Sequence, residues 1–248
     1  MTNRSTGFLA TADRLIDRGH RQSGTRYWII RRPVCSQGIS QGGIMAGQYP
    51  SGEQRAQGRF GTGGRAAAFR AMQVLDHLNA EMQVFIARQD MVFIATADTA
   101  GACDSSFRAG TPGFIHILHE RALAYPEYRG NGVFASVGNV LENPHIGLMF
   151  LDLCRTTVGL HVNGRAKILS PAEIEQLPGL PPAMQDAARA TGGRRPEAWV
   201  VIEVEEAYIH CSKHVPLMKR LDKQIDWGTD DEAVKGGNFF KTKPPTKS

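Results

Sequence analysis

The stretch LAYPEYRGNGVFASVGNVLENPHIGLMF, residues 123–150, decides how this chain is built. An apolar run ends at Tyr128. A turn then crowds Gly130, Asn131 and Gly132 beside Arg129. GVFASVGNVLEN (132–143) follows at helical spacing, and HIGLMFLDL (145–153) returns to a strand pattern. Pro144 ends the short helix, because the residue before a proline is pushed out of the helical region. Asn131 is placed to cap its start. A glycine-rich turn ahead of a helix can do one of two things. It can let backbone N–H groups approach a phosphate at the positive end of the helix dipole. Arg129 would then be a forked donor, and Ser136 and Asn139, about one turn apart, could face the same point. Or it is an ordinary strand-to-helix turn with its caps. The pattern leaves both open.

Upstream, MVFIATAD (91–98), SSFRAG (105–110), FIHILHE (114–120) and ALAYPEY (122–128) read as strands separated by turn residues. Pro126 places the last of them near a strand end or on an edge. Downstream, VGLHVNGRAKIL (158–169) is a strand whose Asn163-Gly164 pair marks a bend or bulge. EAWVVIEVEEAYIHC (197–211) is a long alternating strand. SPAEIEQL (170–177) starts a helix, with Ser170 as cap, Pro171 in the first position and Glu173 completing a capping box. PGLPPAMQDAARATGGRRP reads as an irregular excursion. Ahead of the strands, Phe69, Met72, Leu75 and Leu78 recur at helical spacing. Met82, Phe85 and Ile86 continue the stripe after a break near Asn79, which predicts helices packed on a core. Residues 1–60 read as an N-terminal extension, partly irregular, with only TRYWII (25–30) strand-like. Residues 61–215 form the domain, and 216–248 are a polar C-terminal tail. This order predicts a mainly β protein with flanking helices (α+β), a small barrel of about six strands.

Composition narrows the function classes. The 248 residues carry 42% apolar side chains, enough for a sizeable core. The net charge of +5 is spread along the chain without a basic stripe interleaved with aromatics, so no nucleic-acid partner is expected. No run approaches the ~20 apolar residues of a membrane span, so no membrane partner is expected either. The first twenty residues lack the sustained apolar segment of a secretory signal. The four cysteines, Cys35, Cys103, Cys154 and Cys211, form no CxxC pair and read as reduced thiols. A cytoplasmic protein is the expectation.

Other motifs are weaker. In CDSSFRAGTPGF (103–114), alternation puts Ser106 and Arg108 on one strand face. An arginine aimed into a barrel is costly unless it meets an anion; a surface arginine is the alternative. His161, Asn163 and Arg165 share a strand face, either edging a ligand groove or facing solvent. His210, Cys211, Lys213 and His214 include zinc-ligand types without the spacing of a closed site. His116 and His119 would face opposite ways on a strand. No metal site is expected. FGTGGRAAAF (60–69) lacks the preceding strand of a dinucleotide fingerprint. A Walker A lysine, a GxSxG elbow and an HExxH pair are all missing from the sequence. No catalytic constellation emerges.

Taken in order, MVFIATAD, SSFRAGTPGF, LAYPEYRGNGVFASVGNVLENPHIGLMF, VNGRAKI and VEEAYIHCSKH resemble the pyridoxamine 5′-phosphate oxidase-like family of FMN-binding split β-barrels, over roughly residues 65–215. The resemblance implies a six-stranded split barrel and a homodimer with FMN in a groove at the subunit interface. It implies that the strand bearing Ser105, Ser106, Phe107 and Arg108 lies along the flavin. Arg129, Asn131, Ser136 and Asn139 would hold the ribityl phosphate. Arg165, and His210 and Lys213 of the partner chain, would border the flavin or the pocket of a small-molecule substrate. The name-giving enzyme has serine-arginine-lysine in the phosphate stretch where this chain has RGNGVFAS, and CSKHVPLMKRLDKQIDW lacks its arginine-bearing substrate signature. The resemblance therefore implies an FMN-dependent oxidoreductase acting on another small molecule. Alternatives of the same type are a non-catalytic flavin-binding protein, a deazaflavin-dependent reductase or a haem-binding relative. In all of them the cofactor carries the chemistry, and no side chain is required as acid, base or nucleophile.

Overall fold

Seven antiparallel strands hydrogen-bond in the spatial order β2-β1-β5-β6-β7-β4-β3. They are β1 (Met91–Ala97), β2 (Cys103–Ala109), β3 (His116–His119), β4 (Ala122–Tyr128), β5 (His145–Leu151), β6 (Gly159–Leu169) and β7 (Pro196–His210). The computed structural model describes residues 51–237 and 239–242, so TRYWII and Cys35 fall outside the described residues. No ladder joins β2 to β3, and the sheet is open. This corrects the expected six-stranded barrel: among the described residues there are seven strands, and hydrogen bonding does not close them.

The strands alternate as their sequences require. Val92 and Ile94 of β1, Ile146, Leu148 and Phe150 of β5, and Leu160 and Val162 of β6 point into one core. Tyr125 of β4 and Val200 and Ile202 of β7 complete that face. At its β4–β7 end the sheet is covered on both sides, which is why ALAYPE is buried throughout. The second side packs Ala124 and Trp199 against Ile174, Leu180, Met184 and Ala188. These come from α5 (Pro171–Ile174), α6 (Pro182–Ala188) and the loop between them. The segment read as irregular thus contains a helix. Pro181 and Pro182 look like breakers in sequence but occupy its start, where proline costs no hydrogen bond.

Pro126 lies inside β4 opposite Trp199. β3 reaches only to Ala124, so at Pro126 the strand has a neighbour on one side only. The Asn163-Gly164 pair is a bulge in the β6–β7 ladder. A Cβ on Gly164 would stand 2.0 Å from the Glu203 carbonyl oxygen, so only glycine fits this close crossing.

Among the described residues, three helices precede the sheet: α1 (Gly52–Phe60), α2 (Gly63–Gln73) and α3 (Ala80–Ala87). The first shows that the end of the segment taken as an extension is helical, with a capping box between Ser51 and Gln54. Asn79 caps α3 at the expected break, accepting from the Met82 N–H. Leu78 and Ile86 are fully buried. The expected apolar stripe on α2 does not reach the core: Phe69 and Met72 are exposed and the helix buries no residue. From 216 onward the described chain forms no helix or strand. No helix among the described residues is long and apolar enough to cross a membrane.

The Ser170 capping box forms as the sequence indicates: Glu173 N–H donates to Ser170 Oγ and Ser170 N–H to the Glu173 carboxylate. Because Ile174 one turn later anchors the second core, Ser170→Ala is expected to cost about 1 kcal/mol. Chemical denaturation would measure this, and an unchanged midpoint would show the box to be dispensable.

Candidate functional site

The helix α4 (Ala135–Glu142) does not start at Asn131 as expected. Phe134 stands at the N-cap position in the left-handed region, φ 54°, and gives no side-chain cap. Asn131 instead accepts the Val133 N–H in the turn before it. A bulky side chain at positive φ costs roughly 1–2 kcal/mol, which the surrounding contacts must offset. Two of those contacts tie α4 down. Ser136 Oγ donates to Asp104 Oδ2 at 2.6 Å, and Asn139 Nδ2 donates to Thr96 Oγ1 at 3.1 Å. Together they set the helix start against β1 and β2.

Between that helix start, β2 and the end of β4 lies a cleft of about 290 Å³. Asp104, Ser106 and Arg108 line it from β2, Glu127 and Tyr128 from β4, and residues 130–136 from the turn and α4. Alternation along β2 turns these three side chains inward and leaves Ser105 and Phe107 outside, where Phe107 packs edge-on against Phe93. Arg108 Nε donates to Glu127 Oε2 at 2.8 Å, and its Nη1 donates to Ser106 Oγ at 2.6 Å. The arginine aimed inward does meet an anion, and that anion is Glu127. Burial raises the Glu127 carboxyl above its ordinary range. Arg108 pulls it back down, and Glu197 on β7 pushes it up. Burial also raises the Tyr125 and Tyr128 phenols on the same strand.

The cleft therefore gathers Ser106, Arg108, Asn131 and Ser136 from the sequence-expected set. Asn139 lies directly behind it, bonded to Thr96. Arg129 is elsewhere: it pairs with Asp230 at 2.7 Å and borders a neighbouring cavity with Arg195 and Gly228. Arg165 bonds His145 at 2.9 Å and borders a third cavity. His210 Nδ1 sits 2.9 Å from His161 Nε2, and His161 stacks on Tyr208. Lys213 follows β7 in an exposed single turn. None of these last four lines the cleft of this chain. The two acidic side chains of the cleft, Asp104 and Glu127, lie outside the expected set. Asp104 had a signal, lying two residues before Ser106 on the same strand face. Glu127 carries no mark in the sequence beyond its place in the ALAYPEY strand. No group of three or more metal-ligand side chains occurs among the described residues, and Cys103, Cys154 and Cys211 are free and exposed.

Solved structures similar to this chain include HupZ of Group A Streptococcus. It is 22% identical, with 51% of this chain and 89% of that one covered, at a TM-score of 0.37. A candidate pyridoxamine 5′-phosphate oxidase of Lactobacillus delbrueckii is 20% identical, covering 55% of this chain and 99% of its own at 0.40. HutZ, the heme storage protein of Vibrio cholerae, is 11% identical, covering 54% and 93% at 0.35. Among curated proteins none matches the chain. The family model for pyridoxamine 5′-phosphate oxidase matches residues 78–211, from the buried Leu78 ahead of α3 to the end of β7, and takes in the whole cleft. Spanning more than half its length, that match makes the chain a member of the pyridoxamine 5′-phosphate oxidase family.

Proposed function

We propose that this protein is an FMN-dependent oxidoreductase acting on a small molecule, with the flavin phosphate held in the cleft between β2, β4 and α4. The observation that carries the proposal is the donor set converging there: the Arg108 guanidinium, the Ser106 hydroxyl, the Asn131 amide and the backbone of the glycine turn. At Gly130 and Gly132 a Cβ would meet nothing within 4 Å, so a ligand can approach the main chain. Such donors fit a phosphate ester. Arg108 would fix the phosphate, Asn131 and the turn would orient it, and the Ser136–Asp104 bond would hold the helix start in place. When bound, the flavin supplies hydride transfer.

The apolar rim supports assembly as a homodimer around this site. Phe107, Val133 and Phe134 are 51%, 69% and 41% exposed at or beside the cleft. A second copy covering them could bring its own Arg165, His210 and Lys213 toward the ring system.

The test is titration of the purified protein with FMN, followed by flavin fluorescence and the visible spectrum. A one-to-one complex that NAD(P)H reduces is expected. Arg108→Met should weaken FMN by about 1.5–3 kcal/mol, the scale of a hydrogen bond to a charged group. A yellow complex inert to reductants would make the protein a flavin binder without turnover. Binding of a deazaflavin and not FMN would move it to that class. Equal FMN affinity in Arg108→Met and wild type would remove the phosphate from this cleft.

A further inference from the structure

The cleft's charges do not add up to a simple phosphate site. Its arginine is already taken by Glu127, and Asp104 lines the same space, so among the described residues one cation faces two carboxyl groups. Arg129, the cation next in sequence, is held by Asp230 outside the cleft. A phosphate that reaches Arg108 competes with Glu127 for one positive charge: Glu127 holds the Nε hydrogen, while Ser106 and the Phe107 carbonyl accept from Nη1. Glu127, whose side chain is 12% exposed, would then share its one counter-charge with a second anion. A buried charge in that position neutralises itself.

We propose that Glu127 is the specificity-determining residue of this cleft: a phosphorylated flavin binds together with one proton, which passes from solvent to the Glu127 carboxyl. This rests on the flavin-phosphate reading of the same site. The Arg108 charge then balances the phosphate, and Glu127, now neutral, can donate through its new O–H. Of the groups facing Glu127 among the described residues, Arg108 is the one that holds it ionised, and the phosphate competes for that cation. From β2 come Arg108 and Asp104, the latter already accepting from Ser136. From its own strand come Tyr125 and Tyr128, both phenols held protonated by burial. From β7 comes Glu197, whose carboxylate favours the protonated form of Glu127. Burial also favours that form before any ligand arrives. A ligand lacking the phosphate makes no such demand, so discrimination between FMN and riboflavin should depend on pH.

The experiment is calorimetric titration of the full-length protein with FMN, riboflavin and inorganic phosphate. Each is run in two buffers of different ionisation enthalpy, across mildly acidic to mildly alkaline pH. The same titrations follow for Glu127→Gln, which keeps an acceptor for Arg108. The phosphate of FMN has its own proton with a pKa of about 6, so the informative quantity is the difference between wild type and variant. Wild type should take up close to one proton more per FMN than Glu127→Gln. Its FMN affinity should fall by up to ~10-fold per pH unit above the Glu127 pKa, while the variant's stays flatter. Riboflavin should show no such difference. Equal proton counts and parallel pH profiles in the two proteins, with FMN bound, would overturn the role of Glu127 and leave the cofactor reading intact. If neither FMN nor phosphate binds at any pH, both fall. Should the variant not fold, the wild-type proton count in the two buffers still decides: release or no exchange with FMN above the phosphate pKa refutes the proposal.

Discussion

Trp199→Ala is expected to lower the unfolding free energy by about 3–5 kcal/mol, the range for deleting a large buried aromatic. Trp199 is fully buried at the centre of the second core, among Ala124, Ile174, Leu180, Met184 and Ala188. Nothing nearby can collapse into its space, because β4 and β7 are hydrogen-bonded on one side and α5 and α6 are tied by short loops on the other. His116 packs at a tilt against the indole, ring centroids 5.6 Å apart, and would lose its packing too. The indole Nε1 is also buried without a hydrogen-bond partner among the described residues, and an unsatisfied buried donor costs about 1–3 kcal/mol. Trp199→Phe keeps most of the ring and removes that donor, so it should cost far less than the alanine variant. Urea denaturation of the three proteins would test this. Equal losses for Phe and Ala would mean that the indole nitrogen is satisfied in solution and that volume alone does not govern the site.

Much of this fold could be read from local pattern. Strand β1 shows as a short apolar, β-branched run ended by turn residues, the Asn163-Gly164 bulge as a turn dipeptide inside a strand, and the Ser170 box as a cap three residues before a glutamate. Each depends on neighbours within a few residues, so the sequence states it directly. What escaped depends on distant partners. Met72 has helical spacing, but whether its face meets the sheet is decided by where α2 lies, and it is exposed. Pro181 and Pro182 carry opposite meanings at a helix start and in its middle, and only the packing of Met184 under Trp199 chooses between them. Barrel closure depends on whether β2 meets β3, which no single strand encodes. The site divides the same way. Ser106 and Arg108 follow from strand alternation, and Ser136 from its place in the first turn of a helix. Arg129 looked like the phosphate ligand because it adjoins the glycines, yet its partner Asp230 is 101 residues away. Glu127 was missed for the mirrored reason. Its partner lies on another strand, and within YPEY nothing marks it as the group that holds the cleft's arginine.

That pairing carries the second large effect. Arg108→Met is expected to destabilise the protein by about 2–4 kcal/mol near neutral pH, short of the full cost of breaking a deeply buried pair because both side chains keep some solvent contact. Methionine preserves much of the apolar stem, so the loss reports the charge more than the packing. The pH dependence follows from Glu127. Burial already holds its carboxyl above the ordinary range while Arg108 pulls against that shift, so removing the guanidinium raises it further. A carboxyl that binds its proton more tightly folded than unfolded adds stability below its unfolded pKa. It withdraws that stability as pH rises through the folded pKa. The deficit of Arg108→Met should therefore be smallest in mild acid and grow toward neutral pH. Adding Glu127→Gln should recover most of it, because a neutral amide can be buried without a cation beside it. Thermal denaturation of wild type, both single variants and the double variant over that pH range gives the coupling directly. A deficit that ignores pH and survives Glu127→Gln would mean that Arg108 serves as packing, and that Glu127 is not the charge it balances.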